Sequence, residues 1–234
     1  MSAVLVIDAH PSPTSLCAAL ADRYAEAARA GASVDVLRLR ELRFDPVLHE
    51  GYRGDQALEP DLRAAQDRIR AASHLVFVYP SWWGTYPALL KGFLDRTLVP
   101  GFAFAFRDAR RWDRLLAGRS ARLIVTMDWP AWAFRWVQGA PGHRAMANAT
   151  LGFCGVRPVS ITALDQVKTS TPAVREGWFA TVGRAATADL RRLEHRSGSR
   201  TEHAEAGSFA GREGMPQACA TGRGRAAGPG APTG

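Results

Sequence analysis

Cysteine, long apolar runs and lysine are all scarce in this chain of 234 residues. The cysteines are Cys17, Cys154 and Cys219, an odd number without metal-ligand spacing. That speaks against a disulfide framework or a zinc site, and for a reduced, cytoplasmic setting. No apolar run reaches the roughly 18 residues that span a membrane, so no membrane insertion is expected. The start, Met1-Ser2-Ala3-Val4-Leu5-Val6-Ile7-Asp8, has no basic region before its apolar run and no cleavage-site pattern. It reads as a first strand rather than a signal peptide. The formal charge is +8, carried almost wholly by arginines scattered among alanines. There is no basic stripe with interleaved aromatics, so no nucleic-acid partner is expected.

What is present is a core. Hydrophobic residues make up 47% of the chain, so a real core can form, and the length suits one sizeable α/β domain or two small ones. Strand and helix patterns alternate: strand 3–9, helix 14–30, strand 33–39, helix 59–72, strand 74–79, helix 87–98, strand 122–126, helix 142–153, strand 156–163 and helix 172–194. Such alternation implies a parallel sheet with helices on both faces. From residue 196 to Gly234 the chain turns rich in Gly, Ala, Ser and Arg, with Phe209 and Met215 as its large apolar side chains. That composition cannot offset its ordering entropy and predicts a disordered tail. The domain reading is therefore 1–195 followed by the tail 196–234.

Ligands of such sheets bind outside the carboxyl ends of the strands, near the switch in strand order. Three loops qualify, 9–16, 80–86 and 127–143, and each has an unusual composition. The first, Ala9-His10-Pro11-Ser12-Pro13-Thr14-Ser15-Leu16, offers hydroxyls, an imidazole and the free amides of a helix start, which suits phosphate. It is neither GxGxxG nor GxxxxGK[ST], so the dinucleotide fingerprint and the nucleoside triphosphatase loop are both missing. Capping by Thr14 or Ser15 also accounts for part of it, but does not call for His10 and Ser12. The second loop, Ser81-Trp82-Trp83-Gly84-Thr85-Tyr86, can offer amides and flat rings to a planar ligand, with Gly84 allowing close backbone approach. Packing against a neighbouring element or a second subunit is the competing use of Trp82 and Trp83. The third loop, Met127-Asp128-Trp129-Pro130-Ala131-Trp132-Ala133-Phe134-Arg135-Trp136, is aromatic as well, which also suits a subunit interface. A phosphate site beside two aromatic loops fits a phosphorylated planar cofactor such as flavin mononucleotide.

At this point the chain resembles the flavodoxin-like NAD(P)H:quinone oxidoreductases, the DT-diaphorase and potassium-efflux ancillary type, over about residues 3–194. The resemblance rests on Ala9-His10, Thr14-Ser15, Phe44-Asp45-Pro46-Val47, Tyr79-Pro80, Trp83 and above all Pro87-Ala88-Leu89-Leu90-Lys91-Gly92-Phe93-Leu94-Asp95-Arg96. Leu151-Gly152-Phe153-Cys154-Gly155 and Thr171-Pro172 add to it. It implies a doubly wound, parallel five-stranded flavodoxin-like sheet, bound FMN or FAD, NAD(P)H as electron donor, and a homodimer with sites at its interface. By position, His10, Thr14, Ser15, Leu16 and Cys17 would line the phosphate. Pro80, Ser81, Trp83 and Gly84 would hold the ring, with Trp82 beside them. Thr126, Met127 and Asp128 would approach its pyrimidine end. An acidic side chain there opposes flavin reduction, so Asp128 is expected to turn away or to pair with an arginine. His143 is the candidate catalytic residue, with capping of the following helix as its other use. The activity implied is hydride transfer from NAD(P)H through flavin N5 to a quinone-like acceptor, in ping-pong order. A one-electron carrier, a flavin-binding regulatory subunit of a transporter, and an azo- or nitro-reductase are the rivals.

Overall fold

The computed structural model describes residues 2–52 and 56–209, with side-chain surroundings as far as residue 196. In chain order the elements are β1 (Ala3–Asp8), α1 (Leu16–Ala28), β2 (Ser33–Arg38), α2 (Pro60–Ala71), β3 (His74–Pro80), α3 (Ala88–Thr97), β4 (Phe104–Phe106), β5 (Trp112–Arg114), β6 (Ser120–Thr126), α4 (Ala131–Trp136), α5 (Pro141–Arg144), a π-helical segment (Ala145–Gly152), β7 (Val159–Leu164) and α6 (Pro172–Phe209).

Five of these strands form one parallel sheet in the order β2-β1-β3-β6-β7. β3 and β6 are buried along their whole length. That explains why 75–79 and 123–125 run apolar without alternation, because a parallel strand covered on both faces has no solvent side to make polar. Residues one apart face opposite layers. Leu5, Ile7, Leu75, Phe77, Leu123 and Val125 pack under α2 and α3 through Leu62, Ile69, Leu90 and Phe93. Val4, Val6, Val76, Val78 and Ile124 pack under α1 and α6 through Leu20, Tyr24, Val182 and Ala186. The order reverses between β1 and β3, so their carboxyl ends part and leave a crevice there.

Two of the sequence motifs turn out to be one contact. A Cβ on Gly92 of α3 would collide with Pro46, so only glycine lets the 44–47 segment lie against this helix. Buried Arg96, one turn further on, donates to the Asp45 carbonyl at 2.6 Å and to Glu59 at 2.9 Å.

Several elements differ from the sequence reading. Pro87 caps α3 rather than opening it. The expected helix over 142–153 is a four-residue α turn running into the π-helical segment. The short β4–β5 hairpin was not expected; it docks by stacking Trp112 on Phe153, centroids 4.7 Å apart. Helix α6 continues through Phe209, so 196–209 is helical where composition predicted a disordered tail. That stretch has no proline, and its Ala, Arg and Glu residues favour helix. The rest of the expected tail, 210–234, lies outside the described residues. The compact unit of the fold ends at His195.

Candidate active site

The loop after β1 is built from its backbone outward. Asp8 closes β1 and is fully buried. Its carboxylate pairs with Arg40, which arrives from the turn after β2. Asp8 Oδ1 also accepts the His10 amide at 3.2 Å. The Ser12 amide donates to His10 Nδ1 at 2.9 Å, which places the proton of the neutral ring on Nε2. Ser12 and Thr14 hydroxyls lie 3.2 Å apart. Ser15 caps α1 by accepting the Ala18 amide at 3.1 Å. The first N–H groups of a helix have no intrahelical acceptor, so those of Leu16 and Cys17 are available to a ligand. Burial lowers the His10 imidazole below its ordinary value, and the Asp8 carboxylate opposes that shift.

The loop after β3 is a tight turn. The Ser81 amide donates to the Thr126 carbonyl at 2.7 Å, which continues the sheet pairing by one residue. Trp82 and Thr85 then face each other, with Trp83 at φ +53° and Gly84 at φ +73° between them. Two successive left-handed residues make a primed turn. The Gly84 carbonyl accepts the Gly142 amide at 2.9 Å, which ties this turn to α5. Trp82 meets His10 edge to face at 5.7 Å, so the first two loops share a wall.

The loop after β6 is held by the one after β7. Asp128 Oδ1 accepts the Lys168 amide at 3.1 Å, and Lys168 Nζ lies 3.2 Å from Asp128 Oδ2. Asp165 Oδ2 accepts the Ala131 amide at 2.6 Å and so steadies the start of α4. Cys17 Sγ lies 3.3 Å from the Thr126 hydroxyl. Burial pushes the Cys17 thiol up to about 12, so it stays protonated and unreactive.

These loops enclose a cavity of about 390 Å³ at the switch point. Of the residues singled out in the sequence, His10, Ser15, Leu16, Cys17, Pro80, Ser81, Trp82, Thr126, Met127 and Asp128 line it. Thr14, Trp83, Gly84 and His143 do not. The Trp83 side chain stands fully in solvent. A Cβ on Gly84 would face Pro141 and Phe134, not the cavity. His143 lies inside α5, whose cap is Ala140, so it is not a capping residue either. Its ring meets Phe134 edge to face at 5.0 Å, and its Nε2 is buried without a hydrogen-bond partner among the described residues. Burial lowers this imidazole below its ordinary value. Asp128 pairs with a lysine rather than the expected arginine, because the loop after β7 carries Lys168 across to it.

Ser12, Val167 and Lys168 line the cavity as well. The rule that selected loops at strand ends reaches Val167 and Lys168 if it is applied to the fifth strand. Among the described residues no helix is long and apolar enough to cross a membrane, and no group of three metal-ligating side chains occurs.

The arrangement has parallels among known proteins. A family profile described as flavodoxin-like fold matches residues 2–182. A Haemophilus influenzae protein named as an uncharacterized NAD(P)H oxidoreductase is 27% identical over 196 residues, covering 81% of this chain and 96% of that protein. The human ribosyldihydronicotinamide dehydrogenase [quinone] is 29% identical over 184 residues, covering 66% of this chain and 77% of its own. A crystal structure from Streptococcus mutans superposes with a TM-score of 0.67 at 29% identity, over 79% of this chain and 98% of that one.

Proposed function

The chain belongs to the flavodoxin-like NAD(P)H:quinone oxidoreductase family, and from that premise we propose that it is a flavin-dependent NAD(P)H dehydrogenase acting on a quinone-like acceptor. The observation that carries the flavin is the donor set of the cavity at the β1–β3 switch point. One end has the His10 imidazole, the Ser12 and Ser15 side chains and the start of α1, a set suited to a phosphate. The other has Pro80, Trp82 and Met127, flat or apolar surfaces suited to a ring. A single hydroxyl-rich loop matches the single phosphate of FMN, with FAD as the alternative.

In this reading His10 Nε2–H and the amides of Leu16 and Cys17 hold the phosphate. Ser81 and Thr126 keep the strand ends closed beneath the ring. Lys168 sets a positive charge beside Asp128, which offsets the carboxylate at the cavity rim. When bound, the flavin would supply the hydride-accepting chemistry that links NAD(P)H to the acceptor. Donor and acceptor use the same cavity, so they alternate. This work is assigned to residues 1–195, in a reduced cytoplasmic setting, and a second copy of the chain covers the aromatic surface beside the cavity.

Titration of the purified protein with FMN and FAD, followed by visible absorbance, tests the reading. Uptake of flavin is expected, and then NAD(P)H-dependent reduction of benzoquinones with parallel initial-rate lines. A protein that takes up neither flavin overturns it. Intersecting lines together with an isolable ternary complex overturn the alternation alone.

A further inference from the structure

Asp8 is an expensive residue where it stands. Its side chain is 1% exposed at the end of a central strand, directly beneath the loop that offers its donors to an anion. A lone buried carboxylate there would be costly to bury and would repel a phosphate. A buried ion pair is not in general more stable than an apolar pair of the same volume, so stability alone does not explain Asp8 and Arg40. Their contacts do. Arg40, whose side chain is 11% exposed, pairs with Asp8 and reaches the His10 carbonyl at 3.5 Å. Asp8 takes the His10 amide. His10 in turn is fixed through Nδ1 by the Ser12 amide. The pair therefore grips both peptide groups of His10, a residue that lines the cavity.

We propose that the Asp8–Arg40 pair is a positioning device for phosphate recognition: Asp8 and Arg40 lock the His10 backbone, and Arg40 cancels the carboxylate charge behind the loop. This rests on the flavin reading above. Asp8 and Arg40 are positioning residues here, since neither is among the groups lining the cavity. The role is specific to the phosphate end, so it separates ligands that differ only in phosphate.

The test compares FMN with riboflavin, which has the same ring and no phosphate. Dissociation constants are measured by flavin fluorescence on the full chain for wild type, Arg40→Met, Arg40→Lys and the double variant Asp8→Asn/Arg40→Met. Arg40→Met is expected to weaken FMN about tenfold or more and riboflavin less than about twofold, as for loss of a charge-assisted contact network. Arg40→Lys should keep most of the FMN affinity. The double variant should fall between wild type and Arg40→Met, because the lone carboxylate is gone. If Arg40→Met fails to fold, the double variant, which buries no lone charge, carries the comparison: FMN weakened against wild type and riboflavin unchanged. Equal losses for both ligands, or no loss for either, overturn the proposal and leave the flavin reading standing. A wild type that binds neither ligand overturns both.

Discussion

Gly84 holds φ +73° in the turn that hangs Trp82 over the cavity. The conformation, not the space, makes glycine useful there. An added Cβ would sit 3.5 Å from Pro141, an ordinary contact, while a left-handed backbone costs an L-residue roughly 1 kcal/mol. Gly84→Ala is therefore expected to lower unfolding stability by about 1 kcal/mol, read from the urea midpoint, and to leave the flavin dissociation constant unchanged. A change in flavin affinity at constant stability would put Gly84 back against the ligand. Lys168 is the opposite case, a side chain in open solvent with a cavity-facing carboxylate as its partner. Reduced flavin carries negative charge, so reversing this cation disfavours reduction. Lys168→Glu should shift the flavin midpoint potential to a more negative value in a spectroelectrochemical titration. The shift should shrink at high salt, because exposed charges are screened. An unchanged potential at low salt would show that Lys168 lies too far from the ring to act on it.

At the scale of elements, α6 is fastened to the sheet by charge as well as by packing. Asp189 of α6, which is buried, accepts from Arg122 of β6 at 2.5 and 2.8 Å and from the Tyr24 hydroxyl of α1 at 2.8 Å, with His74 of β3 3.4 Å away. Burial by itself would raise the Asp189 carboxyl, but the hydrogen bonds and charge of Arg122 override it, and the group is held well below the usual range. A depressed carboxyl adds stability above its unfolded value, about 3.9, and loses it as pH falls below that value toward the folded one. Urea midpoints should thus drop steeply below about pH 4 in wild type, and less steeply in Asp189→Asn. At neutral pH the substitution strands Arg122 and should cost about 3–5 kcal/mol. Equal acid slopes in the two proteins would rule the network out as the source. None of this was legible in the sequence, because Tyr24, His74, Arg122 and Asp189 are far apart in the chain and belong to no motif. The sheet itself was legible, since β1, β3 and β6 are apolar runs and the strand-end rule needs only their order. The π-helical segment and the hairpin were not, because the hairpin's two three-residue strands carry too little periodicity and are held by Trp112 on Phe153. The cavity was legible as three loops. Trp83 and Gly84, expected at the ring, do not line that cavity, and sequence does not reveal which way a left-handed turn points its side chains.

At the scale of the whole molecule, several large apolar side chains stand exposed among the described residues. Trp129, Trp132, Trp136 and Val137 are exposed by 51%, 67%, 76% and 70%, within nine residues of one loop and short helix. Phe106 of the hairpin is exposed by 64% at the edge of a second cavity of about 420 Å³ lined by Tyr52, Tyr86, Leu94 and Phe153. Apolar side chains gathered this way mark association surfaces rather than scattered exceptions. Beside the hairpin the charges are locally paired, Arg107 with Asp113 and Arg111 with Asp108. A twofold pairing that covers these rings needs about 1,600 Å² of buried surface in total to be stable, and aromatic side chains are the residues best able to supply it. The protein is therefore expected to sediment at twice its chain mass of 25.3 kDa at micromolar concentration. Trp132→Glu/Trp136→Glu should shift it toward monomer. Because neither tryptophan lines the cavity at the switch point, the double variant should still take up flavin. Its turnover with quinone should fall if the second copy closes the site, and should hold if the pairing serves stability alone. A wild type that stays monomeric across the concentration range, or a double variant that remains dimeric, would show that these rings meet something other than a second copy of the chain.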